Sequence, residues 1–209
     1  AFQSREDGFY DFQTLADETI IISNTISNDP TARFLKKAFT TYDHYQDGMI
    51  ADLVQKQKDK GDKKDMKSII LLCDDILSRN VKRNNELSYL ATKFRHYNIL
   101  LYFIFVQNFK SVDNIIRNNA TDVFIFKQGN QKQLLMIAEE YSGQFGGIKT
   151  FLKIYKIATE EPYSFLYLKV KEGKALKSFE YVIAEEDKIL VHHHVELDEE
   201  EEKIINESD

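Results

Sequence analysis

A chain of 209 residues with 43% hydrophobic and 12% aromatic content is long enough for one packed domain, or two small ones. Its formal net charge of −6 speaks against wholesale nucleic-acid binding, and no run approaches the roughly 18 apolar residues of a membrane span. Residues Ala1 to Tyr10 lack the basic and apolar regions of a secretory leader, and the single cysteine, Cys73, excludes an internal disulfide and suits a soluble protein of a reducing compartment.

The β-branched run Thr19 to Ser23 reads as the first strand, and Asn28-Asp29-Pro30 then supplies a turn and a helix start for Thr31 to Tyr42. Gln46 to Gln57 carries helical periodicity, whereas Lys56 to Lys67 is so rich in Lys, Asp and Gly that it reads as an exposed loop. In Ser68 to Asp75, Ser-Ile-Ile-Leu-Leu-Cys-Asp-Asp, an apolar run the length of one buried strand ends in two adjacent carboxylates. A helix over Asn84 to Arg95 precedes Asn98 to Val106, the most strand-like run of the chain, which stops at Gln107-Asn108. A short helix at Val112 to Asn118 leads to a fourth strand at Asp122 to Lys127, and helices follow at Gln131 to Tyr141 and Gly147 to Ile157. Strands separated by helices imply an α/β architecture with a mostly parallel sheet covered by helices.

The last part changes character. Tyr163 to Val170 alternates aromatic and aliphatic residues, Gly173 marks a turn, and Phe179 to Ile183 is placed to pair back as an antiparallel β-hairpin on the sheet edge. The expected organisation is a core over residues 1–185 and an acidic, disordered tail over 186–209, where Glu196 to Glu202 holds six acids in seven residues. His192-His193-His194 is not read as a metal site, because three consecutive side chains diverge on a strand.

The end of Ser68 to Asp75 has the shape of a Walker B element. A strand buried on both faces of a parallel sheet is continuously apolar, and its carboxyl end is where ligands of open α/β sheets bind. In that reading Asp74 holds the Mg2+ that bridges the β- and γ-phosphates of a nucleotide, and Asp75 polarises the attacking water. Two aspartates there also suit a solvated turn or the cap of the next helix. The eight residues by themselves accommodate both readings.

Taken in order, these elements resemble the poxvirus-like genome-packaging ATPases of large DNA viruses, within the FtsK-HerA superfamily. The carriers, spread over Thr19 to Ile183, are Ile69 to Asp75; Phe94-Arg95-His96-Tyr97-Asn98 before a strand ending at Gln107; and Ile115-Ile116-Arg117-Asn118-Asn119-Ala120 before Asp122-Val123-Phe124-Ile125-Phe126. Lys156-Ile157-Ala158-Thr159 with Pro162-Tyr163-Ser164-Phe165-Leu166 adds to them. The resemblance implies a RecA-like P-loop NTPase core, with ATP and Mg2+ as cofactors. Its implied activity is ATP-driven translocation of double-stranded DNA into a capsid. The implied partners are the DNA, a homo-oligomeric ring and capsid or portal-vertex proteins, and the implied setting is the virion or the cytoplasmic viral factory of an infected cell.

The same resemblance implies roles for single residues. Gln107 would sense the γ-phosphate or orient water beside Asp75, where its simpler role is to cap a strand end. Arg117 would act as an arginine finger on a neighbouring subunit's nucleotide, where its simpler role is a surface arginine near a helix C-terminus. Arg95 and His96 read better as a solvated helix end. Arg79, Lys82 and Arg83 form a purer basic patch than the Lys-Asp loop before them and are the candidate DNA or subunit contacts.

One part of the family pattern is missing. No GxxxxGK(S/T) phosphate loop occurs in the 209 residues. Thr19 to Ser23 resembles the family's second strand, so the resemblance places the first strand and its phosphate loop just before Ala1. Without such a loop, Asp74 and Asp75 have no backbone nest or lysine to hold phosphates. A non-catalytic structural or regulatory subunit of the same fold, and a helicase-like or DNA-pumping P-loop ATPase of cellular origin, are the alternative readings.

Overall fold

Four predominantly apolar strands, β1 (Glu18–Ser23), β2 (Thr40–Tyr42), β3 (Ile69–Asp74) and β4 (Ile99–Phe105), pair in parallel in the order β2-β1-β3-β4. The computed structural model describes residues 15–28, 30–76, 85–179, 181–185 and 188–189, and it divides into two compact units, Ala1–Asn119 and Ala120–Asp209. The four parallel strands belong to the first unit. Their helical cover comes from α1 (Arg33–Ala38), α2 (Met49–Lys58), α3 (Asn85–Lys93) and α4 (Asn114–Asn119).

Strand periodicity explains how this sheet is buried. Successive side chains of a strand point to opposite faces. Ile20 and Ile22 of β1 therefore join Ile69, Leu71 and Cys73 of β3 in one core, closed by Ile50 and Val54 of α2 and Leu87 and Leu90 of α3. Ile21 points the other way and packs with Ile26, Ala32, Leu35 and Phe39. Cys73 is fully buried, and burial pushes its thiol up. It is the small core residue that its position in an apolar run implies.

The sequence reading runs one helix over Thr31 to Tyr42, but the chain divides that stretch. A 3-10 turn (Pro30–Ala32) and the short α1 end at Phe39, whose backbone is extended, and Thr40–Tyr42 pairs with Ile20, Ile21 and Ile22 as β2. Two β-branched threonines beside the open edge of β1 gain ladder hydrogen bonds that outweigh a weak local helical preference. On the opposite side β4 is the outer strand. Among the described residues nothing pairs with its far edge, and Leu100, Leu101 and Phe105 are exposed there.

In the second unit, β5 (Asp122–Phe126), β6 (Phe165–Lys169), β7 (Lys174–Lys177), β8 (Tyr181–Glu185) and β9 (Lys188–Ile189) form an antiparallel sheet in sequence order. The strand expected at Asp122 to Lys127 exists, but its partner is β6 in the antiparallel sense. Cross-strand aromatic pairing favours that partner: Phe124 stacks on Tyr167 with ring centroids 4.6 Å apart. The turn at Gly173, with φ of 63°, joins β6 to β7. The strand that pairs back on β6 across this turn is β7, not the expected Phe179 to Ile183; β8 begins two residues after that position and pairs with β7, and Phe179 packs its ring against Phe165. The helix α6 (Ile148–Ala158) buries Phe151, Ile154, Tyr155 and Ala158 and packs on β6, β7 and β8, with α5 (Gln131–Tyr141) against it.

The segment Lys56 to Lys67 is largely exposed, as its composition predicts, and two of its lysines have acidic partners. Lys64 lies 3.7 Å from Asp62, and Lys67 lies 3.3 Å from Glu18. One member of this region is inside. Gln57 is 4% exposed, and its Nε2 donates to the carbonyls of Lys67 and Tyr97, at 2.7 Å each. It ties α2 to the entrances of β3 and β4. Gln57→Leu removes the donor from both carbonyls, the Tyr97 one in a buried position, and is expected to cost about 1–3 kcal/mol in urea unfolding.

Candidate active site

In a parallel sheet every strand delivers its carboxyl end to the same edge, and here register levels those ends. Ser23, the last residue of β1, stands opposite Asp74, the last of β3, and Asp74 stands opposite Phe105, the last of β4. Each apolar run therefore stops at one line. Beyond it lie Asn24 and Thr25, then Asp75, then Gln107.

Asp74 is half-buried at this line. Its Oδ2 accepts a hydrogen bond from Ser23 Oγ at 2.7 Å and one from Thr25 Oγ1 at 3.3 Å. The two hydroxyls lie 3.1 Å apart, and Ser23 Oγ also accepts from the backbone N–H of Thr25 at 3.3 Å. The three side chains thus form one connected polar group.

Asp75 ends the strand by its backbone. Its φ of 51° lies in the left-handed region, which aspartate tolerates better than most residues because its short side chain bonds locally. Three contacts hold it there. Its N–H donates to the Phe105 carbonyl at 3.1 Å, its own carbonyl accepts from Asn24 Nδ2 at 2.8 Å, and its Oδ2 accepts from Gln107 Nε2 at 3.2 Å. Ile76, 1% exposed, anchors the chain in the core immediately afterwards. A strained backbone over-determined by its surroundings is a recurrent property of functional sites.

The structure therefore brings Asp74, Asp75 and Gln107 to one edge, with Gln107 touching Asp75 directly. Arg117 sits in α4, where its guanidinium stacks over the Phe109 ring at 4.9 Å and donates to Asn114 Oδ1. Arg95 and His96 are exposed in a 3-10 turn (Phe94–Tyr97) before β4, the solvated end expected of them. Arg79, Lys82 and Arg83 lie outside the described residues, as do His192 to His194 and Glu196 to Asp209.

Ser23, Asn24 and Thr25 are the residues that sequence reasoning passes over. The signal for them is the one that marks Asp74 and Asp75: an apolar strand, Thr-Ile-Ile-Ile, breaking into consecutive polar residues. Ser23 and Asp74 are 51 residues apart in sequence, however, and only the β1–β3 register joins them.

The donors at Asp74 are all hard oxygens, which suits Mg2+ and neither thiolate-bound nor imidazole-bound metals. Among the described residues no group of three or more His, Cys, Asp or Glu could hold an ion by itself. A metal at Asp74 would complete its shell from water and phosphate, as Mg2+ does in nucleotide enzymes.

No protein-family model matches this chain, and no curated protein does. Solved structures do. The chain is similar to B204, the DNA-packaging ATPase of Sulfolobus turreted icosahedral virus, at 14% identity and a TM-score of 0.54, over 76% of this chain and 80% of that one. It is similar also to the B204 genome-packaging NTPase of Sulfolobus turreted icosahedral virus 2. The sulfate complex of that protein gives 15% identity and a TM-score of 0.53 over 85% and 84% of the two chains. Its ATP-γS complex gives 16% and 0.51 over 76% and 80%. At these identities the likeness is one of fold: α/β, with a mostly parallel four-stranded sheet, of the kind found in viral genome-packaging NTPases.

The left-handed backbone at Asp75 has a measurable consequence. Asp75→Ala is expected to be less stable than Asp75→Gly by about 1 kcal/mol in urea unfolding, because only glycine adopts this φ without a Cβ clash.

Proposed function

We infer that this protein is a nucleotide-hydrolysing motor subunit of the viral genome-packaging type, working on double-stranded DNA with ATP and Mg2+. The observation that carries this reading is the acid pair Asp74-Asp75 at the carboxyl end of a central parallel strand, with Gln107 from the next strand on Asp75. The similar B204 protein is named as a genome-packaging NTPase and was solved with AMP and with ATP-γS. That supports nucleotide as the ligand class here.

In this reading Asp74 and Asp75 divide the work of a Walker B element. Asp74 holds Mg2+, which when bound neutralises charge on the β- and γ-phosphate oxygens. Asp75 orients the attacking water and accepts its proton, a role worth about 10²–10⁴ in rate. Gln107 Nε2 donates to the Asp75 carboxylate from the β4 side, and Gln107 orients the water beside Asp75 or senses the γ-phosphate. Arg117 serves a neighbouring subunit in a homo-oligomeric ring, where a guanidinium stabilises transition-state charge by about 10³–10⁵. To do so it leaves its stack on Phe109. DNA contacts fall to Arg79, Lys82 and Arg83, and the capsid or portal vertex is the ring's docking partner.

Phosphate needs more than these residues. No GxxxxGK(S/T) loop occurs in the 209 residues, so the groups that cradle phosphate would be contributed from outside them. The far edge of β4, unpaired among the described residues, offers a place for a further parallel strand bearing such a loop, level with Asp74 and Gln107. The missing motif also favours a second reading, a non-catalytic subunit of the same fold.

Hydrolysis assays on the full-length protein decide between the two. Asp75→Asn is expected to reduce Mg2+-dependent ATP turnover by about 10² or more while ATP binding stays close to wild type. Unchanged turnover overturns the role given to Asp75, and wild-type protein that neither binds nor hydrolyses ATP favours the non-catalytic subunit. Arg117→Ala is expected to be inactive alone and to regain activity when mixed with Asp75→Asn subunits, because a mixed interface restores one intact site. A mixture that stays inactive overturns a finger acting between subunits.

A further inference from the structure

We propose that Ser23, Asn24 and Thr25 are positioning residues that hold the acid pair in its working geometry, with the Ser23 hydroxyl aiming Asp74 at the metal. The proposal rests on the reading of Asp74 as a Mg2+ ligand. It adds a part that no sequence motif marks, supplied by the neighbouring strand.

The geometry carries the argument. Both hydroxyl contacts to Asp74 converge on one atom, Oδ2. Among the described residues no hydrogen bond reaches Oδ1. A carboxylate whose one oxygen is saturated by donors presents the other to a cation, and its orientation is set before the ion arrives. Outer partners of this kind fix ligand orientation and tune metal affinity. Ser23 can do this because it is itself fixed. It is 3% exposed, sits at the last register position of β1 and accepts from the Thr25 N–H, so its proton is directed to Asp74.

Asn24 serves the other acid. Its Nδ2 donates to the Asp75 carbonyl at 2.8 Å, opposite the hydrogen bond from Asp75 N–H to Phe105. The peptide of Asp75 is thereby gripped from β1 on one side and β4 on the other, which sustains its φ of 51° and sets where its carboxylate leaves the backbone. One tripeptide thus addresses both aspartates, through a side-chain oxygen in one case and a backbone oxygen in the other. A latch that only closed the strand ends would not need two hydroxyls on a single carboxylate oxygen.

The test measures Mn2+ binding, as a stand-in for Mg2+ detectable by electron paramagnetic resonance, on the full-length protein with ATP present. Wild type is expected to bind Mn2+ in a manner lost in Asp74→Asn. Ser23→Ala is expected to weaken binding by about 10- to 100-fold, the range for such outer partners. Ser23→Thr, which keeps the hydroxyl, stays near wild type. Ser23→Thr separates this role from a structural one, because binding then follows the presence of the hydroxyl and not the packing at the buried position. Wild-type affinity in Ser23→Ala, with Asp74→Asn still defective, overturns the positioning role and leaves Asp74 as the ligand. Mn2+ binding that is the same in wild type and Asp74→Asn, or absent from both, overturns the metal role of Asp74 and the positioning role with it. Should Ser23→Ala fail to fold, Thr25→Val at the longer contact carries the test: reduced affinity supports the proposal, and wild-type affinity overturns it.

Discussion

Parallel pairing of β1 with β3 puts Ser23 opposite Asp74, and the polar edge of the first unit is built on that register. The register itself is held by apolar contacts further down the strands. Ile20 beside Leu71 and Ile22 beside Cys73 face one core, and Ile21 beside Leu72 faces the other side. A slip of one residue would exchange the two faces and move Ser23 away from Asp74. At the opposite end Asp17 adds a polar lock. Its Oδ2 accepts from both the N–H and the hydroxyl of Ser68, and the backbone N–H of Ser68 is the main reason its carboxyl is held below its usual range. Core packing and this clasp together decide where the acids stand.

The site itself is economical in its use of β-strand ends. Ser23, Asp74 and Phe105 close their strands at one level, and the side-chain and backbone hydrogen bonds described at the acids come from Ser23 and Phe105 together with Asn24, Thr25 and Gln107 just past them. The left-handed backbone at Asp75 costs roughly 1 kcal/mol for a residue with a Cβ. Bonds from Asn24 and Gln107 and to Phe105, together with the burial of Ile76, offset that strain. The proposed chemistry uses the same features, since a fixed carboxylate loses little orientational freedom when it meets water or a cation.

The two units follow different construction rules. Strands of the first are joined through helices and have apolar residues on both faces, as a parallel sheet requires. Those of the second run antiparallel, with α6 against one side and a cluster of rings, Phe124, Phe165, Tyr167 and Phe179, gathered around the β5–β6 pair. Both begin with short apolar runs that look alike in the sequence. Asp122 to Phe126 is as plausible a parallel strand as Ile69 to Asp74 until its partner is known, because strand propensity says nothing about direction.

Local features were therefore the legible ones. The sequence by itself determined that Ile69 to Asp74 is a buried strand ending in acids, that Asn98 to Val106 is a strand broken by Gln107, that Cys73 is a core residue, and where α5 and α6 lie. Each follows from composition and periodicity within a dozen residues. Tertiary structure decided the rest. It drew Thr40–Tyr42 out of a helix and onto β1, turned β5 toward β6, and set the hydroxyls of Ser23 and Thr25 on Asp74. These outcomes depend on partners between 20 and 51 residues away, chosen by ladder hydrogen bonds and side-chain packing across strands. A linear pattern records which residues prefer a strand, and only the assembled sheet records which strand each one meets.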